Sequence, residues 1–162
     1  EEIVEQNVVS GIAHQRDEAK VTLVKVPDRP GVAAAIFGPL ADGGVNVDMI
    51  VQNISADGMT DMTFSCPTDE VARARAALEA KRDGIRYADI IVDDEVAKVS
   101  IVGIGMRSHS GVAQTMFGAL AAEGINIKVI TTSEIKVSVL IDRKYMELAV
   151  QALHKTFGLA AD

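Results

Sequence analysis

The chain repeats itself, and that constrains it more than any other feature. Lys20-Val21-Thr22-Leu23-Val24 returns as Lys98-Val99-Ser100-Ile101-Val102. Gly31-Val32-Ala33 returns as Gly111-Val112-Ala113, and Phe37-Gly38, Leu40-Ala41, Gly44 and Asn46 return as Phe117-Gly118, Leu120-Ala121, Gly124 and Asn126. Between Gly31 and Val47, 9 of 17 positions are identical to those 80 residues later. Self-similarity at a fixed offset means two copies of one structural unit. The 162 residues therefore divide into two units, each of roughly 70 to 80 residues and small enough to need its neighbour to bury sufficient surface. The matched stretch includes a loop glycine and an asparagine as well as core positions, which implies a shared type of site.

Each unit reads as βαββαβ, an α+β ferredoxin-like arrangement. In the first copy Ala19 to Val26 is apolar and β-branched, as a strand requires. Pro27-Asp28-Arg29-Pro30-Gly31 is a turn, because two prolines lack the N–H that regular pairing uses. Val32, Ile36 and Leu40 form one helical stripe that Gly43-Gly44 ends, with Pro39 in its last turn. Val45 to Ile54 alternates as a strand, Ala56-Asp57-Gly58 is a hairpin turn, and Thr60 to Cys66 alternates with Met62, Phe64 and Cys66 inward. Thr68 is placed to cap a second helix, with Asp69 and Glu70 in its first turn and Lys81 and Arg82 in its last. Gly84 ends that helix, and Ile85 to Val92 follows as a strand. The second copy runs Lys98 to Ile104, a loop over Gly105 to Ser110 that is two residues longer, helix Val112 to Ala122, strands Ile125 to Thr132 and Ile135 to Ile141, and helix Asp142 to Phe157. It lacks a last strand of its own, so Val8 to Ala13 is expected to cross over and complete it. The expected boundaries are 16–96 for the first domain and 97–160, with strand 8–13, for the second.

Composition narrows the classes. Hydrophobic residues make up 48% and charged residues 24%, a globular balance. A net charge of −7 argues against nucleic acid and anionic membranes as partners. No apolar run approaches the ~20 residues of a membrane span, and no signal peptide is visible at Glu1-Glu2-Ile3. The single cysteine, Cys66, cannot form an internal disulfide, which fits a reducing, cytoplasmic setting; at an inward strand position it reads as core. His14, His109 and His154 have no metal-ligand spacing. Gly103-Ile104-Gly105 is a lone Gly-x-Gly without a Walker motif, and no Ser/His/Asp constellation is present. No metal or other cofactor is expected.

The Gly31 loop leads into a helix N-terminus, whose free N–H groups suit a carboxylate. Gly31 allows close approach to the backbone, Asp28 can pair with an ammonium, and Gln52 can both donate and accept. These groups match an amino acid. The plainer reading of the same residues is a turn glycine, a solvated aspartate and a strand-edge amide.

A strand, a short loop ending in Gly, a helix, and then Gly-Val-Asn-Val or Gly-Ile-Asn-Ile resembles an ACT domain, a small amino-acid-binding regulatory module. The segments Asp48 to Ser55, Thr60 to Pro67, Gly105 to His109 and Thr132 to Ile141 resemble the tandem ACT region of aspartate kinase, found in its β subunit or at the C-terminus of its α subunit. Two departures stand out: Ser110 where that family usually has Pro, and a shortened hairpin around Asp57. The resemblance covers nearly the whole chain. It implies a homodimer in which an effector, threonine or lysine or both, lies between one unit's loop and the Asn-containing strand of another. That carries onto Asp28, Gly31, Ala33 and Gln52 with Asn126 and Ile127. A second effector site is implied at Ser133 and Glu134 with Asp48 of a partner unit. The resemblance further implies feedback inhibition of an aspartate kinase catalytic subunit or domain, and no catalysis by this chain alone. The alternatives are an ACT-type sensor of another enzyme, or a catalytic domain on the ferredoxin-like fold, since fold does not fix function.

Overall fold

A computed structural model describes residues 9–103 and 109–159. Most of the loop expected over Gly105 to Ser110, together with Val8, lies outside the described residues. The elements are β1 (Val9–Pro27), α1 (Val32–Asp42), β2 (Ile50–Ile54), β3 (Met59–Pro67), a 3₁₀ turn (Thr68–Glu70) into α2 (Val71–Ala80), the short α3 (Arg82–Ile85), β4 (Asp89–Gly103), α4 (His109–Ala122), β5 (Val129–Thr132), β6 (Lys136–Asp142), and a 3₁₀ turn (Arg143–Tyr145) into α5 (Met146–Thr156). The chain divides into two compact units, one of residues 17–94 and one of residues 1–16 with 95–162.

In the 17–94 unit the strands lie in the order β2-β3-β1-β4, the ferredoxin-like order. β1 and β3 are antiparallel from Glu18 opposite Pro67 to Pro27 opposite Met59, with a shift of register between Leu23 and Val26. Lys25 sits in that bulge at φ 56, and its N–H donates to Asp61 at 2.9 Å. The extra residue lets Leu23 and Val26 both face the core. Helix α1 buries the stripe Val32, Ile36 and Leu40, against Val21, Leu23, Phe64 and Leu78 among others. Phe37 meets the edge of the Phe64 ring at 5.8 Å.

In the other unit the order is β1-β4-β6-β5, so residues 9–16 of β1 take the place of a fourth strand. Val9 is buried among Val99, Ile101, Met116, Val139 and Leu153, with Ile12 beside them. The Ser10 hydroxyl donates to the Val102 carbonyl at 3.1 Å. β4 and β6 are antiparallel from Val96 opposite Asp142 to Val102 opposite Lys136.

Several element boundaries differ from the sequence reading. The polar run His14 to Glu18 is strand, continuous between the two apolar segments, despite its composition. Likewise β4 joins what read as two strands. β2 and β5 begin later than the alternation does. Val45 and Met49 are buried and Asn46 and Asp48 exposed, as alternation requires. Their backbone groups are not held in a regular ladder: Asn46 donates to the Glu70 carboxylate, while Asp48 and Met49 bond to Ser65. Thr68 makes no side-chain cap; Pro67 occupies the N-cap position of the 3₁₀ turn. Gly84 does not end a helix but lies inside α3, and the left-handed residue that stops it is Arg86 at φ 68. Ile85 is therefore helical and buried, and Arg82 lies over the ring of buried Tyr87 at 4.9 Å. His109 and Ser110, expected in a loop, open α4. No helix among the described residues is long and apolar enough to cross a membrane.

Candidate functional site

The Gly31 loop is held at both ends. The Asp28 N–H donates to the Gly58 carbonyl at 3.0 Å, which ties the loop to the turn of the β2–β3 hairpin. The Arg29 guanidinium donates to the Gly84 carbonyl at 2.7 Å, and the Arg29 carbonyl accepts from Val32 at 3.2 Å. Gly31 is the N-cap of α1 at φ 89, ψ −3, and no side chain caps the helix there. That conformation favours glycine, since a β-carbon there crowds the backbone. A Cβ placed on Gly31 would meet nothing within 4 Å, so the space above the loop is open. The Gly31 carbonyl accepts from Ala35. The amides of the first turn have no earlier helical carbonyl to bond, and the helix dipole makes that end favourable to an anion. Ala33 and Ala34 are exposed, and their small side chains leave those amides uncovered. Gln52 is exposed on β2 opposite Met62, in the same hairpin to which Asp28 is tied. The loop and strand thus offer a helix end favourable to an anion, a carboxylate at Asp28 and an amide at Gln52. All four residues, Asp28, Gly31, Ala33 and Gln52, belong to the 17–94 unit.

Asn126 and Ile127 belong to the other unit, in the extended segment between α4 and β5. Asn126 is exposed and makes no hydrogen bond to the described residues, whereas Ile127 packs on its unit's core. Lys128 follows, with its N–H on the Leu140 carbonyl at 2.8 Å and its ammonium on Asp142 at 3.0 Å. Of the second set, Asp48 is exposed in the 17–94 unit with its N–H on Ser65, while Ser133 and Glu134 form the exposed β5–β6 turn. The Ser133 N–H donates to the Lys136 carbonyl at 2.7 Å.

Two features escaped the sequence reading. One is a groove of about 400 Å³ beside the hairpin, lined by Lys25, Asn53, Ser55, Asp57 and Asp61 among others. The Asp57 carboxylate accepts from the Ser55 hydroxyl and from the Met59 N–H, and these bonds hold its pKa below the ordinary carboxylate value. The second is the role of Glu70. The sequence places its carboxylate at a helix N-terminus, but in the fold it turns to Asn46. Oε1 accepts from the Asn46 N–H at 2.6 Å and Oε2 from the Asn46 side-chain amide at 2.8 Å. The Asn46 N–H bond is the main cause of a pKa below the ordinary value, opposed by burial. Because the folded value is depressed, this clamp adds stability above the ordinary carboxylate range and loses it as the pH falls through the folded value.

Cys66 is fully buried on β3, and burial, reinforced by the charge of Glu18, pushes its thiol up to about 11. A thiol reagent at pH 8 should therefore leave Cys66 unmodified in the folded chain and modify it on unfolding in denaturant. Rapid labelling of the native chain would contradict its core position.

Two family models described as ACT domain match the chain, at residues 20–83 and 99–157. The match falls once on each repeat and defines a tandem ACT-domain protein. An aspartate kinase of Pseudomonas putida is 55% identical over 161 residues, covering 99% of this chain and 39% of that protein. The chain thus spans well under half the length of that relative. A crystal structure of aspartokinase alpha and beta subunits has a chain 52% identical, with a TM-score of 0.86, and the match covers 93% of this chain and 99% of that one. The ligand-free regulatory subunit of aspartate kinase from Thermus thermophilus is 40% identical at a TM-score of 0.86, with the same two coverages. This chain belongs to the family of tandem ACT regulatory regions of aspartate kinase. The catalytic kinase domain is not in this chain.

Proposed function

We propose that the chain is an amino-acid sensor that binds threonine, lysine or both and conveys occupancy to an aspartate kinase catalytic subunit or domain as feedback inhibition. The observation that carries this reading is the uncapped N-terminus of α1, entered through left-handed Gly31 beneath open space. An effector carboxylate would accept from the first-turn amides, its ammonium would face Asp28, and Gln52 would take a remaining polar group. Asn126 and Ile127 would be supplied by a second copy, which makes the working unit a homodimer. Asp48, Ser133 and Glu134 would form a second effector site between copies. The acidic, lone-cysteine composition supports a cytoplasmic setting.

Calorimetric titration with threonine and with lysine, alongside sedimentation, tests this reading. Saturable binding of at least one amino acid should accompany a dimer that the ligand strengthens, because a ligand seated between copies binds only the associated state. Gln52→Ala should weaken binding roughly tenfold to hundredfold, the effect of losing about 1.5 to 3 kcal/mol of hydrogen bonding to a charged group. Its melting temperature should stay near wild type, since exposed Gln52 fills no core space. Unchanged affinity in that variant would remove Gln52 from the site. A chain that binds neither amino acid at millimolar concentration would sink the sensing function.

A further inference from the structure

The two asparagines of the repeat stand in the same place and in different states. Val45 donates to the Leu40 carbonyl at 3.0 Å and Ile125 to the Leu120 carbonyl at 3.0 Å, just before each asparagine. Two residues after each, Asp48 donates to Ser65 at 2.9 Å and Lys128 to Leu140 at 2.8 Å. Counting on from those acceptors, the 3₁₀ turn Thr68–Glu70 matches the 3₁₀ turn Arg143–Tyr145. Glu70 and Tyr145 are therefore pseudo-equivalent. Glu70 is 8% exposed, and both its carboxylate oxygens are spent on Asn46. Tyr145 offers no carboxylate; its ring packs on its unit's core beneath the Lys144 ammonium, 5.2 Å from the ring centroid. Asn126 keeps its side-chain amide unbonded among the described residues.

We propose that Glu70 is an internal stand-in for an effector: its carboxylate fills the donors of Asn46, so that of the two repeated strand starts only Asn126-Ile127 accepts an amino acid. This rests on the sensing reading above and specifies it, by naming the residue that makes duplicated sites unequal. A bidentate carboxylate on a backbone N–H and a neighbouring amide is the bond set that a free amino acid's own carboxylate or hydroxyl would otherwise offer. An intramolecular carboxylate has no association entropy to lose, so it outcompetes a dissolved one. In the other unit tyrosine cannot supply that acceptor in place, and the ligand must.

The test uses the full chain, ¹⁵N-labelled and titrated with threonine and then lysine. Of the two repeated strand starts only one should take an effector, apart from any held by Asp48, Ser133 and Glu134. The Asn126 side-chain amide signal should move on saturation, and the Asn46 side-chain amide should stay fixed and exchange slowly. Tyr145→Glu, which carries the acceptor into the second unit, should weaken binding at least about tenfold. Tyr145→Phe should bind within about twofold of wild type, which separates the introduced carboxylate from lost tyrosine packing. The native-chain signals decide the matter even if Tyr145→Glu does not fold. An effector at both asparagines, seen as an Asn46 side-chain signal that moves on saturation as the Asn126 signal does, would overturn the role of Glu70 while leaving the sensing function intact. No binding of either amino acid would overturn both.

Discussion

Phe64→Ala should lower the unfolding free energy by about 3 to 5 kcal/mol, the range for removing a fully buried aromatic side chain. Phe64 is 1% exposed on β3, opposite Val21 of β1 and Ile50 of β2. Its ring meets Phe37 of α1 edge-on, at 78° between planes. The side chain thus joins the middle of the sheet to the helix that starts at Gly31. A cavity there cannot be filled by a strand whose register is fixed on both sides. Phe64→Leu should cost clearly less, because it retains most of the apolar volume. Denaturant unfolding of the three proteins gives the values. Since the chain has two compact units, the loss should appear as an earlier transition of residues 17–94, and a single coincident shift would mean that the units unfold together. A cost below about 1 kcal/mol would mean that Phe64 is not at the centre of that core.

Much of this architecture was legible in the sequence, for reasons that differ by element. The α1 stripe and the inward set Met62, Phe64 and Cys66 could be read because burial follows periodicity. The strand through His14 to Glu18 could not, because nothing in a polar, charged run reports that its backbone is held as strand. The late start of β2 has a similar cause. Alternation correctly sorted Val45 to Ile54 into buried and exposed positions, but the bonds of Asn46 go to a side chain 24 residues away. Gly84 misled because glycine is only a common helix stop; Arg86 took the left-handed conformation, with Ile85 and Tyr87 buried on either side. The Gly31 loop was legible as a turn into a helix because a turn glycine before a helix has a local geometric meaning. The grip of Glu70 on Asn46 depends on tertiary contact, and its one sequence trace is the mismatch of Glu70 with Tyr145 at matched positions of the repeat.

The second large effect is expected at Gly31 itself. Gly31→Asp should reduce effector affinity by at least roughly a hundredfold while the chain remains folded. Strain and charge both contribute. A β-carbon at φ 89 carries left-handed strain of about 1 to 2 kcal/mol, eased for Asp and Asn by local hydrogen bonding. Charge contributes more. No neighbouring atom lies within 4 Å of the added Cβ, so the carboxylate would enter the space proposed for the effector's own carboxylate. Like charges brought together in a binding site cost several kcal/mol, and each 1.4 kcal/mol is tenfold in affinity. The introduced carboxylate could also cap α1, giving the first-turn amides an internal acceptor and removing them from the effector. Gly31→Asn separates charge from strain and capping, because asparagine tolerates the same backbone conformation and can cap the helix without a charge. Its affinity should fall between wild type and Gly31→Asp. Calorimetry with threonine and lysine, with melting curves as the check on folding, supplies the comparison. Equal affinity in wild type and Gly31→Asp would mean that the effector's carboxylate is not at the N-terminus of α1. Equal loss in both variants would assign the effect to capping and strain and not to charge.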